Sequence, residues 1–376
     1  MRDLNQQLDT PLSGPFRKGE FEVGCRNGIV TIRSSILNRG RRVLYINDFG
    51  MIEGYEKWCQ GLYPSDRFFG CIELARAGYE VLIPERPAIL TRYLKNVTTD
   101  FGKTLWAALS LGRDDFVYCA HNLLFWCPLL RGINVMRPRV VSFLFAGERL
   151  WFSELHDGLL GLTPAAYECS GRLAPRIKRS HIGWGIDLSF FQPFPYEPQF
   201  VLYAGKALRD LEVVAKAWAK LDIPLVMLRP FDAPPPPPMP LSVKIIKVGG
   251  PYPSVSYREL CDYYYRYAAF SLITLEHDPN ERSAVGFTNL LESMATARPV
   301  VMTRTGSLRR ELDIEAEGIG FYVEPGDPES LEGAVRFLWE NRNEAQQMGN
   351  KGRQLCKSHY NTERFARNLI EFFEGL

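Results

Sequence analysis

Residues 283–306 read SAVGFTNLLESMATARPVVMTRTG. A loop of small residues ending at Gly286 leads into a run that places Leu290, Leu291 and Met294 on one helical face, as a helix packed on a sheet requires. Pro299 ends that helix, and PVVM (299–302) reads as a short buried strand before Gly306. Loop, helix and strand in this order are one step of an alternating α/β chain, which predicts a parallel sheet covered on both faces. Gly286 lets the backbone approach a ligand. The amides of Phe287, Thr288 and Asn289 fall at or near the predicted helix N-terminus, where N–H groups lack partners and an anion can sit. An ordinary strand-to-helix turn accounts for the loop as well. Glu292 also has two readings. Asn289-x-x-Glu292 fits a capping box with Asn289 as the N-cap, or the carboxylate holds a ligand.

The alternation extends in both directions. VLYIN (43–47), GYEVLIP (78–84), DFVYCA (115–120), PRVVSFLF (138–145) and DGLLGLT (157–163) read as strands, with FGKTLWAALSL (101–111) an amphipathic helix between them. A second series runs through FVLYA (200–204), a helix at 211–221, PLVML (224–228), VKIIKV (243–248), AAFSLITL (268–275) and GIGFYV (318–323). Two helices, about 343–358 and 361–373, close the chain. Between the two series lies GIDLSFFQPFPYEPQ (185–199), rich in proline and aromatic residues, which marks a domain boundary. Near the start, FEVGC and IVTIR flank Arg26-Asn27-Gly28, and Asn-Gly is a strong hairpin signal. The expected organisation is an extension with a hairpin (1–41), a first domain (42–187) and a second domain (188–360). The run DAPPPPPMP (232–240) cannot be helix or sheet interior. It reads as a stiff surface loop, with a ligand for a proline-binding domain as the other reading.

Composition narrows the function. The 376 residues suit two domains, and 46% hydrophobic with 23% charged residues is ordinary for a globular protein. A net charge of +2 gives no general pull toward nucleic acid. The eight cysteines form no C-x-x-C pair and no zinc spacing, so free thiols and no metal are expected. The polar N-terminus MRDLNQQLDT and the absence of a run of about 18 apolar residues suggest a cytoplasmic protein. The most apolar stretch, NLLFWCPLLRGINVM (122–136), reads as a buried helix, with a membrane anchor as the alternative. Aromatic and basic residues in the first domain make peripheral contact with a membrane a further expectation.

Open parallel sheets bind ligands beyond the carboxyl ends of their strands, so candidate residues lie in the loops after strands. In YAGKALRDLEVVAKAW (203–218), Gly205 follows a strand, then come Lys206 and Arg209, with Asp210 placed to cap the next helix. Two cations there can hold a diphosphate, or can be solvated surface. His121 and Asn122 follow DFVYCA, and Glu148 follows FLF by three residues. His121 is a candidate catalytic residue or a buried hydrogen-bonded histidine. His277, Asp278 and Glu281 follow SLITL.

The second half resembles family 4 glycosyltransferases of the GT-B fold. The family pattern is a glycine-bearing loop, LLEAMA, a small residue, PVV, a threonine and a glycine, followed by G-x-x-V-x-P-G-D. This chain has LLESMA (290–295), RPVVMT (298–303), Gly306 and GFYVEPGD (320–327). HIGWGIDLSFFQP (181–193) resembles the family linker, and GKALRD (205–210) the basic segment of one branch. The resemblance covers about 181–373; the first domain matches in layout and in YPSDRFFG (63–70) and ARAGYEV (75–81).

The resemblance implies two Rossmann-like domains with a cleft between them, the C-terminal helix (361–376) packing back on the first. It implies a nucleotide-sugar donor in the second domain. Lys206 and Arg209 would neutralise the diphosphate, Glu292 would accept hydrogen bonds from the ribose, and Gly286 to Thr288 would face phosphate or sugar. Such enzymes usually retain anomeric configuration and need no metal or cofactor. The leaving phosphate takes the acceptor proton, so no protein nucleophile is required. The chain departs from the family at Ala284, where a first glutamate usually stands eight positions before the second. His277, Asp278 and Glu281 are then candidates for the donor sugar, and His121, Asn122 and Glu148 for the acceptor side. NDFGMIEGYEKW (47–58) replaces the usual glycine-rich loop, leaving Gly50 and Gly54 as weaker candidates. The acceptor, a glycan, a lipid-linked sugar or a small molecule, is open, as is the oligomeric state. A nucleotide-sugar epimerase of the same fold and a non-catalytic nucleotide-binding module are the alternatives.

Overall fold

The structure, a computed structural model, describes residues 14–47, 51–84, 101–120, 126–145, 152–205, 208–252, 254–276 and 284–376, the side chains of 101–104 excepted. The chain forms two compact units. One comprises Met1–Phe190 with Thr362–Leu376, the other Phe191–Asn361.

The first unit is built on an eight-stranded sheet in the order β1-β2-β4-β3-β5-β6-β7-β8. The strands are β1 (Phe21–Arg26), β2 (Ile29–Ser34), β3 (Arg42–Ile46), β4 (Glu80–Pro84), β5 (Phe116–Ala120), β6 (Arg139–Leu144), β7 (Gly158–Gly161) and β8 (Lys178–His181). From β4 through β8 neighbouring strands are parallel. Except for the polar edge strand β8, whose residues Lys178 to His181 are exposed or half-buried, they read as largely apolar runs because they are covered by α1 (Met51–Cys59), α2 (Cys71–Arg76), α3 (Phe101–Ser110), α4 (Trp126–Gly132) and α5 (Pro164–Leu173). The hairpin β1–β2 is not a separate appendage. β2 pairs antiparallel with β4 and extends the sheet, making it mixed rather than wholly parallel. Gly54 lies in α1 facing the rings of Tyr63 and Phe68, a packing position and not part of a glycine-rich loop; Gly50 lies outside the described residues.

The C-terminal helix (Thr362–Glu374) belongs to this unit. The Phe373 ring stacks on Phe116 at 4.5 Å, and Glu374 accepts hydrogen bonds from Arg39, Arg41 and Tyr79. A side chain at Gly158 would lie 2.6 Å from the Phe372 ring, so glycine there lets the helix dock. The two motifs singled out on either side of the β4–β8 segment also meet. Asp187 of GIDLSFF accepts from the Ser65 amide at 2.9 Å, and the Asp187 amide donates to Asp66 of YPSDRFFG at 3.2 Å.

The second unit has a parallel six-stranded sheet ordered β11-β10-β9-β12-β13-β14. The strands are β9 (Phe200–Ala204), β10 (Leu225–Pro230), β11 (Val243–Val248), β12 (Ala268–Ile273), β13 (Val300–Thr303) and β14 (Gly320–Val323). Five helices join or cover them: α6 (Leu211–Trp218), α7 (Tyr257–Glu259, continued by a π-helical turn Leu260–Tyr265), α8 (Phe287–Ala295), α9 (Gly306–Glu311) and α10 (Pro328–Glu340). A sixth, α11 (Arg342–Ser358), packs against α8. No helix joins β10 to β11. Parallel strands need a crossover, and residues 231–242 supply it with the proline run, whose extended rise of about 3.1 Å per residue returns the chain along a strand without a helix. Among the described residues no helix is long and apolar enough to cross a membrane.

Burial in the first unit leaves one titratable signature. Glu73 on α2 is 1% exposed, beside Ser65, Arg76 and Asp187. Burial, reinforced by Asp187 and opposed by Arg76, pushes its carboxyl up to about 8. The folded chain therefore keeps a proton that the unfolded chain releases near pH 4.5, and stability falls as pH rises through that window. Glu73→Gln is expected to flatten this part of the pH dependence. Urea unfolding at about pH 5.5 and 8 should show the variant gaining on the parent at the higher pH; an equal difference at both would contradict the assignment.

Candidate functional site

The site lies in the second unit, where β9, β10 and β12 end. Gly205 follows β9 with φ +140°, a value that favours glycine. A Cβ there would stand 1.9 Å from Nη2 of Arg209, so the glycine makes room for the arginine to fold back over its own loop. Arg209 Nη2 donates to Asn289 Oδ1 at 2.7 Å and to the Ala204 carbonyl at 3.3 Å. Its Nε and Nη1 are out of contact with solvent and have no hydrogen-bond partner among the described residues. No described carboxylate forms an ion pair with Arg209. Burial therefore pushes the guanidinium below its ordinary range, with only weak opposition from Tyr203 and Tyr265. Arg209 is half-buried as a residue, but these shielded donors have no acceptor among the described residues, which is what an anion would supply.

Asn289 is held in turn. Its Nδ2 donates to Glu292 Oε2 at 3.4 Å, and the Tyr265 hydroxyl donates to the same oxygen at 2.8 Å. Glu292 is 2% exposed and Tyr265 1%. Burial, with Glu292 next, raises the Tyr265 hydroxyl far above its usual range, so it stays a donor. Arg298, itself buried, donates from Nε to the Tyr265 carbonyl at 2.9 Å. The row Arg209–Asn289–Glu292–Tyr265 thus joins the loop after β9 to α8 and to the π-helical turn before β12.

This arrangement corrects the capping-box reading. Helix α8 starts two residues earlier than Asn289, with Gly286 at the N-cap and φ +92°. Asn289 is the third helical residue and Glu292 the sixth, too far along to reach a cap amide. A Cβ at Gly286 would lie 2.9 Å from Ile273 and 3.1 Å from Met302, so the glycine also packs the loop on the sheet. The Phe287 amide donates to the Ala284 carbonyl at 3.1 Å. The amides of Thr288 and Asn289 keep no protein partner among the described residues. Asp210 caps α6, as expected, by accepting from the Val213 amide at 3.0 Å.

Other candidates fall outside the described residues: Lys206, His121, Asn122, Glu148, His277, Asp278 and Glu281. Sequence reasoning missed Tyr265, Glu276 and Arg229. The amide of Glu276 donates to the Leu208 carbonyl at 3.0 Å, tying the loop after β12 to the loop after β9. A cavity of 510 Å³ opens here, lined by Gly205, Arg209, Arg229, Glu276 and part of the proline run. A second, of 640 Å³, begins at Glu276 and runs past Arg304, Thr305, Arg309 and Asp313.

Residues 280–355 match the family model described as Glycosyl transferases group 1. No curated protein matches the chain in sequence. Solved structures do match in fold. A glycosyltransferase from Rickettsia africae is 12% identical, with 90% of this chain and 98% of that one covered at a TM-score of 0.64. A sucrose-phosphate synthase from Thermosynechococcus elongatus is 14% identical, with 89% and 98% covered at 0.61. HepE of Anabaena, solved with UDP and glucose, is 12% identical, with 89% and 100% covered at 0.59. The chain has the GT-B fold and carries a glycosyltransferase group 1 segment that includes Glu292.

A buried cation without a carboxylate partner costs stability until an anion arrives. Arg209→Met is therefore expected to raise the stability of the ligand-free protein by about 1 kcal/mol in urea unfolding. A loss of similar size would mark Arg209 as a purely structural residue.

Proposed function

We propose that the protein is a glycosyltransferase that moves a sugar from a nucleotide-diphosphate sugar to an acceptor hydroxyl, with retention and without metal or cofactor. The observation that carries this reading is the Arg209 guanidinium, whose shielded Nε and Nη1 have no acceptor among the described residues, held by Asn289 at the N-terminal turn of α8. A diphosphate supplies the missing acceptors, with Lys206 as the second cation. As the bond to the sugar breaks, negative charge grows on the leaving diphosphate. Fixed donors aimed at that charge stabilise the transition state more than the ground state. The leaving oxygen takes the acceptor proton, so the protein provides no nucleophile.

Glu292 accepts the ribose hydroxyls in this reading. It is already a fixed acceptor, and its bond to Asn289 is long enough at 3.4 Å to yield to a hydroxyl. Tyr265 stays in place behind it. His277, Asp278 and Glu281 contact the donor sugar, and His121, Asn122 and Glu148 serve the acceptor. The donor bound by HepE, solved with UDP-glucose, supports a nucleotide-sugar by analogy of fold alone. Peripheral membrane contact and a cytoplasmic setting belong to the same proposal. Ala284, standing eight residues before Glu292, favours one second reading, a module that binds nucleotide without transfer.

Slow hydrolysis of a panel of nucleotide-sugars, followed by release of the free diphosphate, tests the reading. Arg209→Ala is expected to lower the rate about 100-fold or more while leaving the fold intact. Binding without any turnover in the parent would select the module, and wild-type turnover in the variant would remove Arg209 from the chemistry.

A further inference from the structure

The proline run 232–240 lies beside the cationic site. It leaves the carboxyl end of β10, next to Arg209, and its first part forms one wall of the 510 Å³ cavity through Pro234, Pro235 and Pro237. A neighbouring cavity of 540 Å³ at the ends of β10 and β11 shares Pro230, Ala233 and Pro234 with it. The two cavities share this wall at the ends of three strands. Arg209 and Arg229 line the first; Phe231, Val248 and Val255 line the second, with Asp232 and Ser254 among its polar residues.

The wall is held stiff. The Phe231 amide donates to the Val248 carbonyl at 3.0 Å and the Ala233 amide to the Pro230 carbonyl at 3.2 Å. Arg229 Nη2 donates to the Pro234 carbonyl at 2.8 Å. At the far end the Val243 amide donates to the Pro240 carbonyl at 3.0 Å, and Met239 packs into the core. The Phe231 ring is 43% exposed and lies on Gly250, where a Cβ would come within 2.4 Å of it. Residues 234–238 are all proline. They offer flat apolar rings and carbonyl acceptors but no N–H.

We propose that this proline wall, with Phe231, is the nucleobase-selecting surface of the site. The proposal rests on the nucleotide-sugar reading above and adds what chooses the nucleotide. A diphosphate on Arg209 extends its nucleoside along one of two paths. The path past Glu276 enters a cavity lined by Arg304, Arg309, Asp313 and Glu324, which suits hydroxyls. The path along the prolines ends at Phe231 and two valines, which suits a planar base. Base N–H groups meet carbonyls of Pro235 to Pro238, which accept no hydrogen bond among the described residues. The free N–H groups of Arg229 meet base acceptors. Because the wall cannot adjust, it discriminates by shape and by donor position.

Titration calorimetry of the full chain with UDP, GDP, ADP and inorganic pyrophosphate tests this. The parent is expected to bind one nucleoside diphosphate about tenfold or more tighter than pyrophosphate and than the other two, roughly the size of one base–aromatic stack. Phe231→Ala, and separately Pro234→Gly with Pro235→Gly, should bring that advantage below about threefold and leave pyrophosphate affinity unchanged. Phe231 is exposed enough that its variant folds even if the proline variant does not. An undiminished preference in Phe231→Ala and in a folded proline variant overturns the proposal, as does a parent that binds pyrophosphate as tightly as any nucleotide. A parent that binds neither nucleotides nor pyrophosphate overturns the donor reading, and this inference with it.

Discussion

The second unit depends on one unresolved electrostatic demand: a half-buried guanidinium with no carboxylate to meet it among the described residues. Arg209 is held in place by Asn289, but its shielded Nε and Nη1 meet no acceptor among the described residues. Buried charges are usually paired, because desolvating an ion costs several kcal/mol. Here the fold maintains the imbalance with three supports. Gly205 leaves the space, Asn289 accepts one bond, and the α8 amides add partial positive charge nearby. Groups kept unsatisfied in this way store binding energy for a ligand of opposite sign.

The supports have supports of their own. Glu292 and Tyr265 fix the Asn289 amide, and Arg298 fixes Tyr265 by its backbone. Arg298 reaches further, donating to the Pro195 carbonyl at 3.2 Å, while Arg353 donates to the Phe191 carbonyl at 2.6 Å. Two buried arginines thus bind the start of the second unit to the same helices that carry the site. Burial pushes the Arg298 pKa down to about 10, still well above neutrality, so that clamp remains charged, and burial also lowers Arg353. Under the proposed function, groups positioned this way need little reorganisation when charge develops on the leaving diphosphate.

Much of this was legible in the sequence, and the reason is periodicity. Apolar runs at 43–47, 115–120, 200–204 and 268–275 are buried on both faces, so their pattern announced parallel strands. Gly205 and Arg209 stood out because they follow β9, and Glu292 because of the LLESMA motif around it. The role of Asn289 was misread because an N-x-x-E spacing describes a capping box and a side-chain pair one helical turn apart equally well. The helix start at Gly286 separates the two, and it depends on packing against Ile273 and Met302, far away in sequence. Tyr265 left no trace, since only folding brings a π-helical turn beneath α8. The hairpin β1–β2 was visible as a hairpin, but not as two added sheet strands, because pairing with β4 spans some fifty residues.

The central claim is that a diphosphate completes Arg209. A crystal structure of the full chain with the nucleoside diphosphate it binds most tightly tests this directly. The account predicts diphosphate oxygens within about 3.2 Å of Arg209 Nε or Nη1, with the Asn289 bond retained. A nucleotide bound elsewhere on the unit, or Arg209 still without an acceptor beside a fully occupied ligand, would contradict it.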